Sequence, residues 1–271
     1  MLLRRRREEV GLTLEEVARH LECHKATISR LELGRSGLRA RDLRQLLELY
    51  GVTDEERVES YVEMSRQGRK SGWWERHASG LRPAYTDFIA LEAEAVGMRS
   101  YQPLLIPGLL QTPAYARCII AAHPAVVSEE ELERRVEVRL GRQALLAGGG
   151  SLTFRAVIGE AALRSGVGGE SVMRAQVEHL LEVADRPNVD VQVLPLGVGE
   201  HPGGSGPFVI FTFPLPEESH VVCEEGLLTS VYLDSVDEVR AYASAFDALC
   251  AAALSPRVSC DMLAELVLGL K

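Results

Sequence analysis

The sequence predicts an α+β chain: a small all-helical domain at the N-terminus, followed by a mixed α/β domain with an antiparallel meander. Three observations carry this expectation. Up to about residue 65, apolar residues recur at three- to four-residue spacing between Gly and Thr punctuation, as in short amphipathic helices. From about residue 85, helical stretches alternate with short apolar runs of strand length. Between the two, Arg66-Gln67-Gly68-Arg69-Lys70-Ser71-Gly72 is polar and contains Gly, which reads as a linker. The expected divisions are residues 1–65, a linker over 66–84, and residues 85–271.

Bulk properties narrow the function. The chain has 271 residues, 46 % hydrophobic and 25 % charged, ordinary for a soluble globular protein. No apolar run approaches the ~18 residues of a membrane span. Met1 to Arg7 is basic but lacks the apolar stretch of a signal peptide. The five cysteines are scattered, with no Cys-x-x-Cys pair, which argues against a disulfide framework. A cytoplasmic location without membrane contact is expected. The net charge of −9 divides unevenly. Residues 1–47 hold eleven Lys/Arg and seven Asp/Glu, a net of +4, which leaves −13 on the other 224 residues. Such asymmetry suggests a head that faces a polyanion on an acidic body.

The head reads as four helices. Residues 3–10 form a short, very basic helix with few apolar anchors, which Gly11 ends. Thr13 with Glu16 forms a capping box, and Val17, Ala18 and Leu21 give the second helix its buried face. After a break at Glu22-Cys23-His24, a third helix runs from about Lys25 to Leu33, with Ile28 and Leu31 inward and Gly34 as its stop. A fourth, about Arg41 to Tyr50, buries Leu43, Leu46, Leu47 and Tyr50 before Gly51. The outer side of the third helix then carries His24, Lys25, Ala26, Ser29 and Arg30. A helix presented this way fits the major groove, with its N-terminal residues at base edges.

Residues 12–33 resemble the Xre/lambda-repressor type of helix-turn-helix, through Leu12-Thr13, Ala18, Thr27-Ile28-Ser29-Arg30, Leu31-Glu32 and Gly34-Arg35. The resemblance implies that Lys25, Ala26 and Arg30 face bases, and that His24, Thr27 and Arg35 lie close to phosphates. Two positions depart from it. Leu14 stands where the family usually has a Gln that touches DNA. Glu22 stands in the turn where Gly is usual, so an acidic side chain is forced towards positive φ near the phosphates. Double-stranded DNA is the implied partner. One such helix buries little surface, so a homodimer on two half-sites is expected.

Further on, Thr53 with Glu56 reads as another capping box, with a helix to about Ser65, and Trp73-Trp74 reads as a pin to a core. Phe88, Leu91 and Ala95 suggest a helix, and Pro103 to Gln111 an apolar turn or strand. Helices are expected at Thr112–Ala122, Ser128–Ala147, Gly169–Ala184, Ser235–Leu254 and Ser259–Leu268, with Gly148-Gly149-Gly150 as a hinge or turn. Strands are expected at Leu152–Ile158, Val189–Leu194, Phe208–Phe213, His220–Glu224 and Leu228–Leu233, the last three as the meander.

This body resembles the C-terminal domain that follows an Xre-type helix-turn-helix in actinobacterial, antitoxin-like regulators. The matching stretches include Gly72-Trp73-Trp74-Glu75, Leu91-Glu92-Ala93-Glu94-Ala95, Pro107-Gly108-Leu109-Leu110-Gln111-Thr112, Glu160-Ala161-Ala162-Leu163-Arg164 and Val191-Gln192-Val193-Leu194-Pro195. The resemblance implies a small protein partner encoded by a neighbouring gene. Enzymatic motifs are weak. Pro207 spoils a nucleophile elbow around Ser205, and Gly166-Val167-Gly168-Gly169 lacks P-loop or dinucleotide spacing. His20, Cys23 and His24 supply no fourth metal ligand, and His201 reads as a solvated loop residue. The expectation is a non-enzymatic transcriptional regulator without metal or cofactor, whose body dimerises or senses a partner or effector. The alternative is an antitoxin-like module that sequesters a small protein, with weak or autoregulatory DNA binding.

Overall fold

Helix-stop and helix-start residues set the first part of the chain. The computed structural model describes residues 2–32, 39–67, 81, 83–124, 126, 128–147, 152–214, 220–227 and 229–270. Before position 68 these residues form α1 (Leu2–Glu9), α2 (Leu14–His20), α3 (Lys25–Glu32), α4 (Ala40–Leu49) and α5 (Glu55–Gln67). Gly11 (φ 71°) and Gly51 (φ 74°) take the left-handed conformation just past α1 and α4, which glycine adopts without Cβ strain. Gly34, the expected stop of α3, lies outside the described residues, as do Trp73, Trp74 and Gly148 to Gly150.

The helices bury two joined apolar groups. Val17, Ala18, Ile28, Leu31, Leu46 and Tyr50 pack together, and Leu43 and Leu47 of α4 pack with Tyr61 and Val62 of α5. Leu3 touches both groups, so α1 has more apolar anchorage than its composition suggests. The expected capping box at Thr53 does not form. Asp54 caps α5 instead, its Oδ1 accepting from the Arg57 backbone N–H at 2.8 Å. A start one residue later puts Arg57, which cannot reciprocate, at the third helical position.

The second part contains α6 (Pro83–Glu94), β1 (Gly97–Gln102), α7 (Pro113–Ala121), α8 (Glu129–Gly141), β2 (Thr153–Gly159), α9 (Glu160–Leu163), α10 (Glu170–Ala184), β3 (Val189–Leu194), β4 (Phe208–Thr212), β5 (His220–Glu225), β6 (Ser230–Leu233), α11 (Val236–Ala252) and α12 (Pro256–Gly269). The strands make one six-stranded sheet in the order β3-β2-β1-β4-β5-β6. The expected meander is real but is only half of it. The sheet is mixed: β4, β5 and β6 run antiparallel, whereas β1, β2 and β3 are parallel. Pro103 to Gln111 is not a strand; it bends into a 3-10 turn at Gly108–Leu110.

Alternation places the two sheet faces. Met98, Phe154, Val191, Val209 and Phe211 join the core shared with α6, α7, α10 and α12. Tyr101, Val157, Leu194, Phe208 and Ile210 join the core beneath Phe246 and Leu249 of α11. At Val193 the outer edge of β3 is covered by the connection between α11 and α12 and the start of α12. Val193 donates its N–H to Ser259 Oγ (2.9 Å) and accepts from the Leu254 N–H (2.9 Å), while Gln192 Nε2 donates to the carbonyls of Cys250 and Leu254.

Candidate nucleic-acid interface

The N-terminal end of α3 is held outward by its own inner face. Ile28 and Leu31 are buried against α2, where the small Ala18 permits close approach. With that side fixed, His24, Lys25 and Ala26 are exposed and Thr27 is half-buried. These four side chains therefore gather at one end of one helix. The side chains of Ser29 and Arg30, and all of Arg35, lie outside the described residues.

The turn that aims this helix has the conformation expected of it. The capping box at the start of α2 is complete: Thr13 Oγ1 accepts from the Glu16 N–H, and Glu16 Oε2 accepts from the Thr13 N–H at 2.8 Å. At the far end, the Cys23 N–H reaches back to the Ala18 carbonyl at 2.9 Å. That closure requires a left-handed residue between them, and Glu22 supplies it at φ 50°, the single positive-φ non-glycine residue among those described. Leu14 is half-buried against the helical core, so the position the resemblance assigns to a DNA-touching Gln serves packing here.

The basic residues do not all face outward. Arg7 is buried and forms a two-pronged pair with buried Glu32 of α3, Nε to Oε1 at 2.7 Å and Nη2 to Oε2 at 3.1 Å. Its remaining Nη1 donates to the Leu12 carbonyl at 2.9 Å. This pair ties α1 and the α1–α2 turn to the last turn of α3, a structural use of a cation that composition assigned to the polyanion-facing set. Lys25 Nζ lies 3.3 Å from Glu15 Oε1, with both side chains mostly exposed. An exposed pair of this kind stabilises by about 0–1 kcal/mol, so it competes only weakly with a phosphate.

In the second part, the motif stretches form a buried polar hub. Glu92 is fully buried and pairs with Arg142 through Nε (2.6 Å) and Nη2 (2.7 Å). Burial opposes the charge on Arg142; Glu92 and Tyr85 outweigh it and hold the guanidinium protonated. Gly108 lies against this pair. A Cβ there would come within 3.2 Å of Arg139 Cδ and 3.4 Å of Arg142 Nη1. Gln111 Nε2 donates to the Ile106 carbonyl (2.7 Å), and Gln176 Nε2 donates to the Leu110 carbonyl (2.7 Å). Thr112 caps α7. Glu160 accepts from the Leu196 N–H (3.0 Å) and pairs with Arg164 (2.6 Å).

The weak enzymatic candidates have packing roles. His201 Nδ1 accepts from the Gly203 N–H at 3.1 Å and caps the 3-10 turn Pro202–Ser205, which contains Ser205. Gly203 sits where a Cβ would strike the Tyr101 ring at 2.4 Å, and Gly168 where one would meet Cys118 Sγ at 2.8 Å.

Two family models match the chain. One, described as a helix-turn-helix domain, covers residues 1–59. The other, described as a domain of unknown function (DUF5753), covers residues 85–265. No curated protein and no solved structure matches the chain. Among the described residues, no helix is long and apolar enough to cross a membrane.

Proposed function

The chain belongs to the DUF5753 family and carries a helix-turn-helix domain ahead of that region, and from this premise we propose that it is a sequence-specific DNA-binding transcriptional regulator of the Xre type. The single observation that carries the reading is the exposed His24-Lys25-Ala26 end of α3, with Thr27 beside it, on a helix whose opposite face is locked into the core. Lys25, Ala26 and Arg30 read bases; His24, Thr27 and Arg35 contact phosphates; Ser29 lies on the same outer side. Phosphate contacts supply salt-dependent affinity and base contacts supply sequence choice. The regulator works as a cytoplasmic homodimer on two half-sites, because one helix of this size buries too little surface alone. The DUF5753 domain dimerises it and senses an effector or partner, without catalysis of its own.

A gel-shift titration against the DNA upstream of its own gene, over a series of salt concentrations, tests this. Affinity falls steeply with salt, and Arg30→Ala and Lys25→Ala lose preference for that DNA over unrelated duplex. Absence of binding at low salt refutes the reading.

A second reading is an antitoxin-like module that sequesters a small protein encoded nearby and touches DNA weakly. The acidic residues beside α3 favour it: Glu15 engages Lys25, and Glu22 occupies the turn. Co-purification with the product of the adjacent small gene supports it, and failure to bind that product counts against it.

A further inference from the structure

Among the described residues, a half-buried cation without a carboxylate partner sits beside a cleft in the second part of the chain. Arg139, in the last turn of α8, donates through Nε to the Tyr85 hydroxyl (3.2 Å) and through Nη1 to Gln111 Oε1 (3.0 Å). Its guanidinium lies over the Tyr85 ring, 5.9 Å from the centroid. Neither hydrogen-bond partner is a carboxylate, and among the described residues no carboxylate lies within ion-pair distance of Arg139. Arg135 and Arg142 on the same stretch are each paired, with Glu131 and Glu92. A cation withdrawn from water without an opposing charge is unfavourable unless something anionic completes it.

The cleft beside Arg139 has room for such a group. A half-open cavity of about 100 Å³ lies between α6, α7 and α8, lined by Tyr85, Ile119, Ile120, His123, Arg135 and Arg139. Tyr85 contributes a donor as well as a wall. Its hydroxyl oxygen accepts from both Arg139 and Arg142 (2.7 Å), so its own proton is left to donate elsewhere. Burial pushes the Tyr85 phenol up, and the two guanidiniums more than reverse this, which marks the local potential as positive. Ile119 and Ile120 add apolar lining to the same cavity.

We propose that this cleft is a binding site for a small organic anion, a carboxylate with a short apolar tail, held by Arg139 and the Tyr85 hydroxyl with the tail along Ile119 and Ile120. The proposal rests on reading the DUF5753 domain as the sensor of the regulator, and names the chemical class it senses. A charged head and a few carbons match both the mixed lining and the small volume. A bare phosphate would use the donors and leave the apolar side unfilled.

Calorimetric titration of the full chain with butyrate, hexanoate, octanoate, inorganic phosphate and hexylamine tests the site. Hexanoate binds with a Kd of about millimolar order, as ligand efficiency allows for so few atoms. Phosphate and hexylamine bind at least about tenfold more weakly. Arg139→Gln weakens hexanoate about tenfold, the loss of one charge-assisted contact. Tyr85→Phe, which keeps the ring beneath the guanidiniums, weakens it by a smaller factor with an unchanged circular dichroism spectrum. No hexanoate binding, equal binding to Arg139→Gln, or equal binding of phosphate overturns the proposal. Repeating the gel shift with hexanoate separates the two ideas. Hexanoate binding that leaves DNA affinity unchanged removes the sensing role and keeps the site. DNA binding by a chain that ignores hexanoate removes the site and keeps the regulator.

Discussion

Replacing Glu22 by Gly tests the geometry of the turn that aims α3. Glu22 has φ 50° and an exposed side chain, so the substitution loses no packing. A non-glycine residue in this region is strained by about 1 kcal/mol. Glycine removes that strain but gives the unfolded chain more freedom, which returns about 0.5 kcal/mol of it. The net gain is about 0.5 kcal/mol, or an upward shift of about 2–4 °C for a domain of this size. The hydrogen bonds that close the turn, Cys23 N–H to the Ala18 carbonyl and Glu22 N–H to the Arg19 carbonyl, are main-chain bonds that glycine keeps. Thermal unfolding of the full chain followed by circular dichroism reads the first effect. The second effect is electrostatic. Removing a negative charge one turn from the presented end of α3 raises DNA affinity, and the gain shrinks with salt. Glu22→Ala separates the two, because it removes the charge and leaves the backbone strained: it tightens DNA binding like Glu22→Gly without the thermal gain. If Glu22→Ala stabilises as much as Glu22→Gly, the strain argument is wrong.

Three other predictions follow from the same region and from the sheet domain. Glu15→Gln releases Lys25 and tightens DNA binding about two- to fivefold at low salt, the worth of one exposed ion pair; unchanged affinity in the gel shift means Lys25 does not reach DNA. Arg7→Ala removes the two-pronged guanidinium from buried Glu32 and destabilises by about 3–5 kcal/mol, whereas Arg7→Met with Glu32→Leu recovers most of that loss. Urea unfolding measures both, and a double variant as unstable as the single one contradicts the assignment. Below about pH 4.5 stability falls. Glu16 is held below the usual carboxylate range by the Thr13 backbone and hydroxyl, and Glu160 by the Leu196 N–H and then Arg164. A depressed folded-state pKa adds stability that is complete above the unfolded value and lost as pH falls through the folded one. Glu160→Gln therefore flattens the acid limb of a stability–pH curve, and an unaltered limb rejects that contribution.

What the sequence disclosed and what it hid divide along the range of the interactions. The Thr13 box, the left-handed Glu22 and the Gly11 stop depend on neighbours within five residues, and all three are legible in order along the chain. The strand Val189–Leu194 is legible because its run is apolar and bounded by turn residues. The central strand β1 was missed. Gly-Met-Arg-Ser-Tyr-Gln is polar on its face, and only its neighbours β2 and β4 make it a strand, with Met98 and Ser100 on one side and Arg99 and Tyr101 on the other. The parallel half of the sheet was missed for the same reason, since pairing across long crossovers leaves no local mark. At the candidate interface, the exposed His24, Lys25 and Ala26 were foreseen from helical spacing. The burial of Arg7 was not, because its partner Glu32 lies 25 residues away. Nor was the Glu15–Lys25 pair, which spans a turn between two helices. The Arg139 cleft carries no signal in spacing at all; it exists because α6, α7 and α8 converge.

The closure of β3 by the α11–α12 connection bears on how copies of this chain can combine. At Val193 the outward N–H and carbonyl of β3 are already taken by Ser259 and Leu254, so a strand from another molecule cannot pair at that position, whereas β6 forms the other border. Two copies joined through β6 by a twofold axis use up both of those margins and leave only the β3 borders, each covered at Val193. The cover at Val193 therefore works against continued growth by strand addition through β3.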